Sequence, residues 1–130
     1  MMALVGQAIL GLWRVDRLLR VSGIEGVKCL LARFPVSQKQ PKHGIDQICY
    51  AVDLACVFYV RQVKCLQRSV TTTTMLREGG YSADLVIGAC PVPFRSHAWV
   101  EVGTTVVNDK PYIKEIYMEL TRAEALGRGV

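Results

Sequence analysis

The chain has 130 residues, 51% of them hydrophobic, which is enough for one domain with a buried core. Its five cysteines form no C-x-x-C pair and fit neither a secreted disulfide framework nor a zinc ribbon or finger, so we expect a reducing compartment, the cytoplasm. The net charge of +5 lies in residues 1–64, with nine Lys and Arg against four Asp and Glu. No dense basic run or nucleic-acid motif accompanies this excess, which argues against a nucleic-acid partner.

The first predicted element is an amphipathic helix over residues 3–20, where apolar side chains recur every three or four residues: Leu4, Ala8, Leu12, Val15 and Leu19. Packing on the core is favoured over binding to a membrane surface. The apolar run at residues 1–13 is shorter than the about 20 residues that span a bilayer. The charges that follow it do not fit a signal peptide, so we expect no stable membrane insertion.

A second short helix is predicted over residues 23–33, because Ser22 and Glu25 have capping-box spacing and Pro35 would stop it. A polar loop over residues 36–44 follows, and His43 at its end is interpreted as a surface residue. Helical periodicity returns over residues 45–61, where two cysteines on the apolar face, Cys49 and Cys56, are interpreted as core.

The next helix is predicted to run from Cys65 to Glu78 and to end at Gly79 and Gly80, which tolerate a left-handed conformation. Its four threonines, residues 71–74, are poor helix formers, so packing must hold this helix.

The period then changes to two, which predicts a strand over residues 81–90. A proline-containing loop, 91–96, and a hairpin of residues 97–102 and 105–108 follow. Residues 120–130 are predicted to be helical at first and then frayed. Helices before strands predict an α+β fold, with N-terminal helices packed on a small antiparallel sheet.

Cys65 is the cysteine placed for chemistry, because it begins a predicted helix. Unpaired backbone N–H groups and the positive end of the helix dipole both favour a thiolate there, and Lys64 and Arg68 act in the same direction. The other four cysteines lack this setting. No metal or organic cofactor is implied.

His97 and Asp109 are predicted to be neighbours across the hairpin. A three-residue connection centred on Gly103 would pair Glu101 with Thr105 and His97 with Asp109. Directly opposed side chains lie on one face with Cβ atoms about 5 Å apart, close enough for a carboxylate to orient an imidazole. The alternative from spacing alone is an ordinary surface pair beside a buried cysteine.

Several segments, taken in order, carry a resemblance: Cys65-Leu66-Gln67-Arg68-Ser69, Glu78-Gly79-Gly80, Leu85-Val86-Ile87-Gly88, Pro93-Phe94-Arg95-Ser96-His97-Ala98-Trp99-Val100-Glu101-Val102 and Val106-Val107-Asn108-Asp109. Over about residues 45–109 the chain resembles the transglutaminase-like lasso-peptide leader peptidases. Members often place the turn glycine one residue later than Gly103. That departure affects the turn type and leaves the distance from His97 to Asp109 unchanged.

The resemblance implies a papain/transglutaminase-like core with the nucleophile at a helix N-terminus. It assigns Cys65 as the nucleophile, His97 as the general base and Asp109 as the residue that orients His97. The expected organisation is a single domain, residues 1–130, with a helical segment 1–44, a catalytic core 45–112 and a C-terminal segment 113–130.

Trp99 and Phe94 are candidate peptide contacts, although an alternating strand tryptophan such as Trp99 is more often core. Glu101 is interpreted as rim or turn support.

The implied activity is removal of the leader from a ribosomally made lasso-peptide precursor by a cysteine peptidase. The expected partners are the precursor leader, a separate leader-recognition protein and the lasso cyclase, because 130 residues leave no room for a fused recognition domain. The basic N-terminal half is a candidate docking surface. Two alternatives stay open: another transglutaminase-like amidase or acyl transferase, and a non-catalytic peptide-binding module.

Overall fold

The computed structural model describes residues 1–125, which form helices followed by an antiparallel sheet. The elements, in chain order, are α1 (Met2–Arg33), α2 (Ile45–Phe58), α3 (Cys65–Glu78), β1 (Ala83–Pro91), β2 (Phe94–Val102), β3 (Thr105–Val106), α4 (Ile113–Ile116) and β4 (Met118–Ala123). The strand order is β3-β2-β1-β4. The predicted α+β fold, with helices packed on a small antiparallel sheet, is confirmed.

Helix α1 covers both of the predicted N-terminal helices. It breaks at Gly23, whose φ of +64° is a left-handed conformation that glycine adopts at little cost. The helix ends at Arg33, where Phe34 takes an extended conformation just before Pro35. Four of the five predicted core positions of its first part are buried, and Leu19 is half-buried.

Helices α2 and α3 match the predicted periodicity. Helix α2 ends at Phe58, three residues before the expected end, and Cys49 and Cys56 pack in the core between α1, α2 and α3. Helix α3 has the predicted bounds, and Gly80 follows it with a φ of +97°. The hydroxyls of Thr72 and Thr73 donate to carbonyls one turn back, at 2.8 Å each, and Thr74 donates to the Thr71 carbonyl at 2.9 Å, whereas the buried Thr71 hydroxyl has no partner within the described residues.

Two predictions for the sheet were wrong. Residues 91–96 are not a loop, because β1 and β2 join through a tight turn at residues 92–93 and Pro91 pairs with Phe94. The segment predicted to begin a helix at Leu120 is instead strand β4, which pairs with β1. Exposed side chains over residues 118–121 of this edge strand hide the alternation that would reveal it. The predicted frayed end, residues 126–130, lies outside the described residues.

The predicted hairpin register was wrong by one residue. The connection between β2 and β3 has two residues, so Val102 pairs with Thr105 and Glu101 with Val106. Gly103 has a φ of +66°, whereas the φ of Thr104 is not positive. This is the pattern of a type II′ turn. Strand β3 ends at Val106, although the Val107 N–H still donates to the carbonyl of Val100 on β2 at 3.0 Å.

The two faces of the sheet carry different clusters. Helices α1 and α3 cover one face, where an apolar cluster contains Leu85, Ala98 and the half-buried Cys65. On the other face Val86 and Trp99 pack with Ile113 and Tyr117. Because β3 is short, the part of β2 that carries His97 has no strand on its outer side within the described chain, and residues 108–109 lie there instead.

Candidate active site

Cys65 is the first residue of α3, as predicted. The preceding residue, Lys64, is extended, and its backbone N–H donates to Oε1 of Gln67 at 3.2 Å. This bond fixes the start of the helix, so the Cys65 side chain lies at the end where the helix dipole is positive. The side chain is half-buried and packs against the cluster that contains Ala98.

His97 and Asp109 form a close pair despite the shifted register. Nε2 of His97 lies 2.6 Å from Oδ2 of Asp109, and the two side chains are 21% and 13% exposed. The other carboxylate oxygen accepts the backbone N–H of Lys110 at 2.7 Å. With Nε2 bound to the carboxylate, Nδ1 is the ring nitrogen left to exchange a proton with a reacting group.

The environment keeps Asp109 ionised. Burial alone would raise its pKa, but the hydrogen bonds from His97 and from the Lys110 N–H, together with the charges of His97 and Arg68, outweigh burial and hold the pKa below its ordinary value. Arg68 lies on the first turn of α3, with Nη2 3.9 Å from Asp109 and Nη1 3.0 Å from Asp53 on α2. One guanidinium thus links α2, the start of α3 and the His97–Asp109 pair.

Two aromatic rings stack against the His97 imidazole. The Tyr117 ring stacks on it with centroids 5.1 Å apart, and the Trp99 ring lies 6.3 Å away. Trp99 is 1% exposed and its indole N–H donates to Glu101 at 2.9 Å. This burial agrees with a core role for Trp99 and leaves little of its surface to contact a peptide.

Phe94, in contrast, is 74% exposed near the β1–β2 turn. The role of Phe94 as a peptide contact stays a prediction.

His97 contacts Asp109 directly, whereas Cys65 is connected to His97 only through neighbouring residues. Within residues 1–125 the Cys65 thiol makes no hydrogen bond to His97. The two residues are connected instead through α3 and β2, since Ser69, one turn after Cys65, donates to the carbonyl of Ala98 at 3.0 Å. Catalytic hydrogen bonds are often longer before substrate binds, and this arrangement is compatible with such a site.

The remaining cysteines and His43 lie outside this site. Burial, followed by the charges of Asp53 and Asp46 and opposed by Arg68, raises the pKa of Cys49 to about 11, and burial also raises the pKa of Cys56. Both are therefore unreactive thiols at neutral pH. His43 is half-buried rather than fully solvated, and its carbonyl accepts the Tyr81 hydroxyl at 2.7 Å.

One interpretation near the site was wrong, and a group of residues was missed. Glu101 is not rim or turn support but is 2% exposed and accepts a bond from Arg122 at 3.2 Å. Arg122 also bonds the fully buried Asp84 at 2.9 Å. These residues are distant in sequence, so no local pattern reveals their pairing. Tyr117 was missed as well, because a single tyrosine in an irregular segment gives no signal.

No helix within residues 1–125 is long and apolar enough to cross a membrane. The same residues contain no group of three or more His, Cys, Asp or Glu that could hold a metal ion.

A helix that begins at a cysteine and packs on an antiparallel sheet beside a His–Asp pair defines the class of transglutaminase-like α+β domains. The family model of the transglutaminase-like superfamily matches residues 9–122, and the chain belongs to this superfamily. It is 38% identical over 65 residues to the microcin J25-processing protein McjB of Escherichia coli. That match covers 48% of this chain and 31% of the relative, so the chain aligns with about a third of that protein. No solved structure matches.

Proposed function

We propose that this protein is a cysteine peptidase that removes the leader from a lasso-peptide precursor, with Cys65, His97 and Asp109 as its triad. The observation that carries the proposal is the 2.6 Å bond from His97 Nε2 to Asp109, with Arg68 of the helix that begins at Cys65 lying 3.9 Å from the same carboxylate. Membership of the superfamily and the similarity to a microcin J25-processing protein support it.

In the proposed reaction the Cys65 thiolate attacks the last carbonyl carbon of the leader, forming an S–C bond. The C–N bond then breaks, and Nδ1–H of the His97 imidazolium protonates the departing amine of the core peptide. Water attacks the resulting thioester, with the now neutral His97 as base, and releases the leader carboxylate and the thiolate. Asp109 holds the imidazole in position and stabilises its charged form.

The start of α3 offers a donor for the oxyanion that forms during both attacks. Backbone N–H groups of a first helical turn have no partner within the helix, and the Cys65 N–H lies on the residue that forms the covalent bond. A donor at that place would stabilise the tetrahedral intermediate. We assign no second donor.

The proposed partner is a separate protein that binds the leader and presents its end to Cys65. Helix α1 offers a surface for such a partner on the side opposite its core residues. An outer stripe of Leu10, Trp13, Arg17 and Val21 recurs every three or four residues, and its apolar members are 45%, 46% and 76% exposed. The Arg17 guanidinium lies 5.6 Å from the Trp13 ring centroid. Tryptophan and arginine are enriched at protein interfaces, and the basic charge of this half favours an acidic partner.

The test is incubation of the cognate precursor with this protein and the leader-recognition protein, followed by mass spectrometry. A leader that ends in a free carboxylate and a free core amine support hydrolysis. A leader joined to an added amine instead supports the acyl-transferase alternative. Tight leader binding without any product, in the presence of the partner, would favour the non-catalytic peptide-binding alternative.

A further inference from the structure

A buried polar link joins the helix that carries Cys65 to the strand that carries His97. The Ser69 hydroxyl donates to the carbonyl of Ala98 at 3.0 Å and accepts a bond from Nδ2 of Asn108, also at 3.0 Å. Oδ1 of Asn108 accepts the backbone N–H of Val100 at 2.8 Å. Ser69 is fully buried and Asn108 is 8% exposed. We call these contacts the Ser69–Asn108 link.

Each member of the link lies next to one member of the proposed triad. Ser69 is one helical turn after Cys65 and points to the same strand, since residues four apart share a helix face. Ala98 directly follows His97, and Asn108 directly precedes Asp109. The link therefore ties together the three separate segments that carry the nucleophile, the base and the orienting carboxylate.

Apolar packing alone fixes the relative position of these segments less sharply than hydrogen bonds do, because the hydrophobic effect has no preferred direction. Hydrogen bonds weaken steeply with poor angle and distance, and a buried group that loses its partner costs about 1–3 kcal/mol. A slip of α3 along β2 would break two bonds of the link at once. Such control matters at a catalytic site, where a displacement of about 1 Å can cost about 100-fold in rate.

We propose that Ser69 and Asn108 are positioning residues that set the separation of Cys65 from His97. This inference rests on the proposed triad, but it assigns a role to two residues that take no part in the chemistry. The link acts through the helix and strand backbones, so its loss should change how strongly His97 promotes the thiolate of Cys65.

The test measures alkylation of Cys65 by iodoacetamide from pH 5 to pH 10 on the isolated protein, with the Cys65 peptide quantified by mass spectrometry. No substrate or partner protein is needed. His97→Ala keeps Lys64, Arg68 and the helix N-terminus and removes only the imidazole, so Cys65 in this variant should be alkylated more slowly than in wild type at pH 6.5. We expect Ser69→Ala and Asn108→Ala to move most of the way to His97→Ala, with alkylation at pH 6.5 falling roughly 10-fold.

Thr73→Val is the matched control. It removes a buried hydroxyl from the same helix, but one that bonds only the Ser69 carbonyl within α3, at 2.8 Å. It should destabilise the protein to a similar extent and keep the wild-type alkylation profile. If both link variants keep the wild-type profile while His97→Ala shifts it, the positioning role of Ser69 and Asn108 is rejected and the proposed triad is retained. A wild-type profile for His97→Ala itself would show that His97 does not act on Cys65 in the isolated protein, and would overturn the link for that reason, while the triad itself is tested by the rate of leader cleavage.

Discussion

At the scale of single residues, the His97–Asp109 pair was predicted correctly although the register behind it was wrong. Directly opposed positions would require a three-residue connection, whereas Val102 pairs with Thr105 across a two-residue turn. Asp109 reaches His97 from the irregular segment after β3, in which the Val107 N–H still donates to the Val100 carbonyl and the Asn108 side chain accepts the Val100 N–H. The sequence order and spacing predicted the neighbours, but the way in which a two-residue strand ends could not be read from them.

Asp109 contributes stability that depends on pH. Because its pKa is lowered in the folded protein, the contribution is present above the unfolded value of about 3.8 and is lost as pH falls through the folded pKa. Wild type should therefore lose more free energy of unfolding than Asp109→Asn when the pH is lowered from 6 to 3. Urea unfolding at both pH values measures this difference. Glu119, whose pKa is also lowered, titrates in both proteins and cancels. Equal losses would contradict the role given to the Asp109 charge.

At the scale of elements, the sequence predicted the bounds of helix α3 correctly but did not predict the contacts of Arg77. Its bounds followed from periodicity and the two glycines, but Arg77 in its last turn is fully buried rather than exposed. It donates to the carbonyls of Leu31, Phe34, Ala83 and Ala123 at 2.7–3.1 Å. One side chain thus joins the end of α1 to β1 and β4. An arginine is almost never fully buried, so no local signal predicts this role.

Replacing Arg77 by leucine should lower the free energy of unfolding by about 3 kcal/mol or more, because four carbonyls lose a charged donor and each unsatisfied buried group costs about 1–3 kcal/mol. Urea unfolding monitored by circular dichroism gives this value. Arg95→Leu, on the exposed end of β2, is the matched control and should change it by about 0.5 kcal/mol or less. A similar small effect for both variants would show that the Arg77 contacts add little.

At the scale of the whole molecule, the basic first half and the outer stripe of α1 point to the same surface. The sequence predicted the core face of α1. The structure shows that the apolar side chains of the outer stripe are solvent-exposed on the opposite side of the helix. Charge composition could not locate this surface, because it does not show which arginines lie beside apolar side chains. A helix that is apolar on two faces is expected to have a partner on each.

Substitution in the outer stripe should weaken partner-dependent cleavage without affecting the thiol. In Trp13→Ala with Arg17→Glu, we expect the partner concentration for half-maximal cleavage to rise on the order of 10-fold or more, with Cys65 alkylation as in wild type. Val57→Ala, at a position 76% exposed on α2, is the control and should leave both values unchanged. An unchanged partner requirement in the double variant would exclude this stripe as the docking surface.

The most direct test of the triad is the single-turnover rate of leader cleavage by wild type and by Cys65→Ala, with the recognition protein at saturation. Loss of the nucleophile should lower the rate by up to ~10⁶-fold, and adding His97→Ala should lower it little further, because residues that act as a unit are not additive. Cys90→Ala, which removes a half-buried cysteine at the end of β1, should keep the wild-type rate. Cleavage by Cys65→Ala at the wild-type rate would contradict the account.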